Sequence, residues 1–118
     1  MNTREIGAKK EELAAEYLKE KGMKILERNF RNRHGEIDII GRHEDYLVFV
    51  EVKYRRSLRQ GSPAQAVDYK KQKQICKVAD YYRMIHKLGE STPVRYDVVA
   101  ICEEEVSWIK NAFYHIGR

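Results

Sequence analysis

The stretch that decides how this chain folds reads GEIDIIGRHEDYLVFVEVKYR and covers residues 35–55. Apolar residues dominate both halves of it, and the polar run at 42–45 between them has the composition of a hairpin loop. We therefore predict two paired strands, at residues 35–41 and 46–55. Side chains two apart in a strand point the same way, so Glu51 and Lys53 should lie on one face of the second strand.

The segments on either side of this hairpin complete an α/β arrangement. Residues 3–21 have apolar side chains at helical spacing and are followed by Gly22, which predicts a first helix. Ser62, Pro63 and Gln65 form a second helix start, with serine as the cap and proline at the first helical position. The predicted elements are a helix at 3–21, strands at 23–30, 35–41 and 46–55, a helix at 62–87, and strands at 95–102 and 106–110.

The resulting order, α-βββ-α-ββ, determines the expected topology. The step from the third strand through a long helix to the fourth strand predicts a right-handed parallel crossover. A mixed sheet with helices on its faces is therefore the expected architecture. A chain of 118 residues fits one domain, and we expect that domain to span residues 1–118.

Composition narrows the classes of function. The formal net charge of +5 fits a polyanionic partner without requiring one. Cys76 and Cys102 are far apart and lack the CxxC spacing of a zinc site. The first ten residues contain no apolar run, and no stretch approaches the roughly 18 apolar residues of a membrane span. We therefore expect a cytoplasmic protein without a signal peptide or a membrane partner.

The register of the predicted hairpin would bring two carboxylates together. If the loop is centred on residues 43–45, Asp38 faces Glu51 and Ile40 faces Phe49, whereas a slip of one residue would turn Asp38 to the other face. Carboxylates that face each other across two strands repel. A pair kept in such a place indicates a function, because a cation between the two groups would relieve the repulsion.

This set of side chains is suited to metal-assisted hydrolysis of a phosphodiester. Mg²⁺ takes one or two protein carboxylates and fills the rest of its shell with water and substrate phosphate. Lys53, beside Asp38 and Glu51, could orient the attacking water or stabilise charge in the transition state. The alternative interpretation is that Glu51 and Lys53 are solvated strand ends in a surface ion-pair cluster.

The same residues carry a family resemblance. GEID at 35–38 and FVEVK at 49–53 resemble the motifs of the PD-(D/E)xK restriction-endonuclease-like superfamily. Over nearly its whole length the chain also resembles the YraN family, labelled UPF0102 as well, which consists of small bacterial proteins similar to archaeal Holliday-junction resolvases. This resemblance extends to NFR at 29–31, GSP at 61–63, Lys71 and RYDV at 95–98.

The resemblance implies a restriction-endonuclease-like fold in which Asp38, Glu51 and Lys53 are catalytic and both acids bind Mg²⁺ or Mn²⁺. Nuclease activity is implied by analogy of fold, since the family is largely uncharacterised. The superfamily often adds a metal-binding glutamate from the first helix. Glu11 matches that position, with Lys10 where the family has glycine, and it lies at the edge of the apolar stripe. For Glu11 the alternative is a solvated helix glutamate, as expected for Glu12 and Glu16.

Basic residues offer contacts to a nucleic-acid backbone. Lys71 falls within the apolar stripe of the second helix, so its ammonium group must snorkel or meet an anion such as a phosphate or Glu51. The candidate nucleic-acid contacts are Arg31, Arg33, Arg55, Arg56 and Lys71, with Arg28, His34, Arg59, Lys70, Lys73 and Lys77 nearby. For each of them the alternative is a solvated charged surface. We expect Tyr69, Tyr81 and Tyr82 in the core or on the helix surface rather than as base-stacking platforms.

The leading hypothesis is a Mg²⁺-dependent endonuclease acting on DNA, including branched or otherwise structured DNA. A resolvase needs two active sites, so a homodimer would be expected. One alternative is a non-catalytic nucleic-acid-binding module that retains the nuclease fold. Another is an adaptor that binds a protein through the sheet edge or residues 106–113. Asp97 is expected to pair with Arg95 or a helix, and we do not assign it to catalysis.

Overall fold

A computed structural model describes residues 3–55 and 67–117 of the chain. The predicted order of elements, α-βββ-α-ββ, is confirmed. In chain order the elements are α1 (Thr3–Glu20), β1 (Lys24–Asn32), β2 (Gly35–His43), β3 (Tyr46–Arg55), α2 (Tyr69–Ile85), β4 (Val94–Cys102) and β5 (Glu105–Phe113). In the described ranges, neither helix combines the length and the apolar character that crossing a membrane requires.

The five strands form one mixed sheet in the order β1-β2-β3-β4-β5. Neighbouring strands are antiparallel except for β3 and β4, which are parallel. Parallel neighbours need a crossover, and here the connection contains α2, as the sequence predicts. The pairing of β3 with β4 runs without interruption from Leu47–Val94 to Arg55–Cys102, so side chains alternate regularly along β3.

Two apolar layers hold the helices against the sheet. Val48 and Val50 of β3 belong to a cluster with Ala14 and Leu18 of α1. The alternate β3 residues, Leu47 and Phe49, belong to the cluster that contains Ile75, Val78 and Tyr82 of α2. Because the two sets of β3 side chains point to opposite faces, α1 covers one face of the sheet and α2 the other. Glu51 and Lys53 continue the series of Leu47 and Phe49, and therefore lie on the face covered by α2.

The second helix begins later than the sequence indicates. Asp68 has an extended backbone (φ −73°, ψ 171°) and accepts a hydrogen bond from the Lys71 backbone N–H, so it is the N-cap of α2. A continuous helix from Ser62 is therefore wrong at positions 67 and 68, while the predicted start at 62–66 lies outside the described residues. Strand β5 is longer than the predicted 106–110, because pairing with β4 extends from Cys102–Glu105 to Tyr96–Phe113.

Candidate active site

The predicted hairpin register is confirmed. Strands β2 and β3 pair from His43–Tyr46 to Ile39–Val50, and Ile40 faces Phe49 as expected. The described pairing stops there, one pair before Asp38 and Glu51. Beyond that point the Val52 backbone N–H donates to the Asp38 carboxylate oxygen Oδ2 at 2.8 Å. The side chain of Asp38 thus accepts the bond that a backbone carbonyl would accept in a continued ladder, and this holds the carboxyl group between the two strands.

Asp38 and Glu51 form a closely spaced acid pair. Glu51 is only 7% exposed. Burial raises the pKa of Asp38 from its ordinary 3.8 to about 7, and the hydrogen bond to Glu51 and the charge of Glu51 act in the same direction. The Val52 N–H and the contact with Glu11 oppose this rise. At neutral pH the pair therefore holds its proton weakly, and a cation could replace that proton.

Glu11 extends this pair from the first helix. Its carboxyl group contacts Asp38, and burial raises its pKa against the effect of a hydrogen bond from Asn29. The neighbouring acids of α1 lie elsewhere: Glu12 is exposed and paired with Arg28 at 2.9 Å, and Glu16 is exposed and 3.5 Å from Lys19. The structure thus brings Glu11, and not Glu12 or Glu16, next to Asp38.

Asn29 also lies at this site, although the sequence pattern did not predict a role for it. It lies in the middle of β1 with a φ of 52°, a left-handed conformation that costs an L-residue about 1–2 kcal/mol. Its side-chain Nδ2 donates to Glu36 Oε1 at 3.0 Å and lies 3.3 Å from Glu11 Oε2. Asparagine is the non-glycine residue that best tolerates this backbone, and the NFR segment was already part of the family resemblance. Strain of this kind is concentrated at functional sites.

Two lysines lie on the same side of the sheet as Glu51, the side covered by α2. Lys71 Nζ lies 3.6 Å from Glu51 Oε2. This lysine of the apolar stripe therefore pairs with Glu51, one of the two partners, phosphate or Glu51, that the sequence suggests. Lys53 is half-buried and follows Glu51 on the same face of β3. Glu51 thus has one ammonium group in ionic contact and a second on the same face of β3.

The donor set decides which metal ions the site suits. Within residues 3–55 and 67–117, no three His, Cys, Asp or Glu side chains converge to enclose a metal ion. The arrangement is thus unlike a structural zinc site. A pair of carboxyl groups, one buried and one half-buried, with a weakly held proton fits Mg²⁺ or Mn²⁺, which bind through one or two carboxylates and keep several waters. Asp38 and Glu51 would hold such an ion, with Glu11 alongside Asp38.

The predicted nucleic-acid contacts do not share one environment. Arg31 and Arg33 are exposed at the end of β1, where Arg31 pairs with Glu36 at 3.2 Å. Lys71 is half-buried beside Glu51. Arg55 is buried at the end of β3, on the α2 side of the sheet, and it is engaged in an interaction. Arg56 lies outside the described residues.

Asp97 has a structural role, as expected from its pairing with Arg95. It is fully buried and accepts a hydrogen bond from Arg95 Nη2 at 2.9 Å. Trp108 Nε1 donates to the same oxygen at 2.8 Å, and the Asn111 backbone N–H donates to the other oxygen at 2.9 Å. These donors satisfy the carboxylate, which therefore anchors β5 to β4 rather than serving chemistry.

Comparison with known proteins identifies relatives of nearly full length. Residues 10–101 match the sequence profile described as uncharacterised protein family UPF0102. A UPF0102 protein of Lachnoclostridium phytofermentans is 51% identical over 117 residues, which is 99% of each chain. A UPF0102 protein of Clostridioides difficile is 45% identical over 96% of this chain and all of its own length. One from Thermodesulfovibrio yellowstonii is 46% identical over 93% of this chain and 96% of its own.

Proposed function

The chain belongs to the uncharacterised protein family UPF0102, and on the basis of its site we propose that it is a Mg²⁺- or Mn²⁺-dependent endonuclease acting on DNA. The observation that carries this proposal is the acid pair Asp38–Glu51 at the point where β2 and β3 stop pairing. Adjacent acids with little access to solvent, such as the buried Glu51 and the half-buried Asp38, weaken a fold when both are ionised. A dication at this position would bind both and offset their repulsion.

The roles proposed for the residues follow from their positions. A bound Mg²⁺ or Mn²⁺ supplies a water of lowered pKa and stabilises charge on a phosphoryl oxygen. Asp38, fixed by the Val52 N–H, and Glu51 would bind the ion, and Glu11 would assist through its contact with Asp38. Lys53, on the face of Glu51, would orient the attacking water or donate to a phosphate oxygen.

Of the proposed contacts with DNA, one lies beside the acid pair and two lie at the end of β1. Lys71 is in ionic contact with Glu51, and Arg31 and Arg33 are exposed at the end of β1. Contacts of this kind neutralise phosphates without reading the base sequence. Cutting two strands of a branched substrate needs two active sites, so the proposal for branched DNA includes a homodimer.

One observation favours a second candidate, a nucleic-acid-binding module without catalysis. No three-ligand group for a metal is present in the described part of the chain, so any bound ion would depend on water and substrate for most of its shell. The intact Asp38, Glu51 and Lys53 favour the nuclease instead, because binding to phosphates gains nothing from two adjacent carboxylates.

A cleavage assay separates the two candidates. The substrates are an end-labelled four-way DNA junction and a linear duplex of equal length, each with Mg²⁺, with Mn²⁺ or with EDTA. We expect metal-dependent cleavage by the wild type and losses of more than about a hundredfold for Asp38→Ala and Glu51→Gln. Glu16→Gln, which alters an exposed acid on α1, is the matched control and should cleave normally. DNA binding without cleavage by the wild type would support the binding module, and equal cleavage by all four proteins would refute the assigned site.

A further inference from the structure

A groove made of two adjoining cavities runs along the second helix. Its first section, a cavity of about 470 Å³, lies beside Lys71 and is lined by that lysine together with His34, Asp68, Lys70, Lys73, Gln74 and Lys77. A second cavity of about 540 Å³ continues it and shares His34 and Lys77 with the first. One wall is α2, and the other is the turn between β1 and β2. This turn lies close to α2 at Gly35, where a Cβ atom would be 2.8 Å from the Gln74 side chain.

The first section of the groove is strongly basic. Lys70, Lys73 and Lys77 follow one another at helical spacing along α2, and all three are exposed. Its acid, Asp68, is engaged as the helix cap. A row of exposed ammonium groups at this spacing suits the repeating phosphates of a nucleic-acid strand, and Lys71 connects the row to Glu51 at 3.6 Å.

The far section has a different chemistry. Tyr81 and Met84 line it, with 40% and 65% of their surfaces exposed. The Tyr81 ring is stacked on Phe30 at a centroid distance of 6.1 Å, which fixes the ring at the groove wall. The acid of this section, Asp80, lies 3.4 Å from His115. A supported aromatic ring beside a thioether is a surface on which a nucleic-acid base can stack.

We propose that this groove binds a single, unpaired DNA strand. The lysine row contacts its phosphates and Tyr81 stacks against a base. This role for Tyr81 departs from the expectation drawn from the sequence, and it rests on the exposed position of the ring in the groove wall. A duplex fits this groove less well, because its bases are already stacked on one another and present no free face to Tyr81. This inference rests on the proposed function in one respect only, namely that the bound strand leads to the acid pair where cleavage occurs. The substrate would then carry an unpaired arm beside the bond to be cut.

Binding can be measured without cleavage. Fluorescence anisotropy in EDTA compares a labelled oligothymidylate of about twelve nucleotides with a duplex of the same length, across a series of salt concentrations. We expect the single strand to bind about tenfold more tightly. The double variant Lys73→Ala/Lys77→Ala should lower the slope of log affinity against log salt by about 1.4, since each phosphate contact on a single strand contributes about 0.7. Lys9→Ala/Lys19→Ala removes the same charge from α1 and should leave the slope unchanged.

The aromatic end has its own variant. Tyr81→Leu keeps an apolar side chain against Phe30 but removes the stacking surface, so single-strand affinity should fall roughly tenfold while duplex affinity stays the same. Equal affinity for single strand and duplex would overturn the inference, and so would equal losses in the groove and control double variants. Binding is measured in EDTA, where metal-dependent cleavage cannot occur. If the single strand binds in EDTA and no cleavage is seen with Mg²⁺ or Mn²⁺, the proposed function is rejected and the groove is not. Cleavage that is indifferent to all groove variants would reject the groove alone.

Discussion

Replacement of Asp38 by asparagine should stabilise the metal-free protein at neutral and alkaline pH. The folded chain holds a proton on Asp38 up to about pH 7, whereas the unfolded chain releases it near 3.8. Between these values the folded state binds more protons, so this group makes the free energy of unfolding fall as pH rises through the window. Asparagine resembles the protonated acid. Its oxygen can accept from the Val52 N–H, and its amide can donate to Glu51.

The magnitude follows from the difference between the two pKa values. At about 1.4 kcal/mol per pKa unit, the step from 3.8 to about 7 sets an upper limit of ~4 kcal/mol on the stabilisation of the variant at high pH. About 2.5 kcal/mol of that should develop between about pH 5 and about pH 8. The raised pKa of Glu11 acts in the same direction, so some pH dependence should remain in the variant.

Urea unfolding of the metal-free wild type and Asp38→Asn, across this pH range, measures the effect. Asp45→Asn changes an exposed acid in the β2–β3 turn and should show no pH-dependent gain. Added Mg²⁺ should stabilise the wild type and not Asp38→Asn, because the ion binds only the folded site. A variant that is less stable than the wild type at about pH 8, or a gap that does not change with pH, would refute the reasoning.

Three further substitutions test the surroundings of the acid pair and the frame that holds it. Asn29→Gly keeps the left-handed backbone but removes the side-chain amide that contacts Glu11 and Glu36. The affinity for Mn²⁺ measured by calorimetry should fall at least about tenfold, with little change in melting temperature. An unchanged affinity would contradict this. Asp68→Ala removes the cap of α2 and should cost about 1 kcal/mol in urea unfolding, with Asp80→Ala as a helix-surface control. Asp97→Ala leaves the buried Arg95 without its carboxylate and should cost about 3–5 kcal/mol, and a loss below 1 kcal/mol would contradict the anchoring role.

The sheet could be read from the sequence because its signals are local. The polar run at 42–45 lies between two apolar runs, and this composition predicts the hairpin; a loop centred on residues 43–45 gives the observed register, in which Ile40 faces Phe49. The start of α2 could not be read in the same way. Serine and aspartate both favour the cap position, so the sequence alone does not choose between Ser62 and Asp68. The extended backbone at Asp68 makes this residue the cap of α2 in the structure.

The proximity of Asp38 and Glu51 was predictable in part, since the register through Ile39–Val50 places the two residues one pair further along. The environment of the pair was not. The bond from the Val52 N–H to Asp38 depends on where the two strands stop pairing, and the left-handed Asn29 depends on a conformation that no propensity requires. The groove is a product of tertiary packing, because it needs the β1–β2 turn to lie against α2.

Isothermal titration of Mn²⁺ into the wild type and Glu51→Gln addresses the acid pair without depending on any substrate. Glutamine keeps the size of the side chain and its reach toward Lys71, but it removes the charge that a dication needs. We expect a saturable binding signal at about pH 8 in the wild type, loss of that signal in Glu51→Gln, and retention of it in Glu16→Gln. An equal signal in all three proteins, or none in the wild type at about pH 8, would contradict a metal site between Asp38 and Glu51.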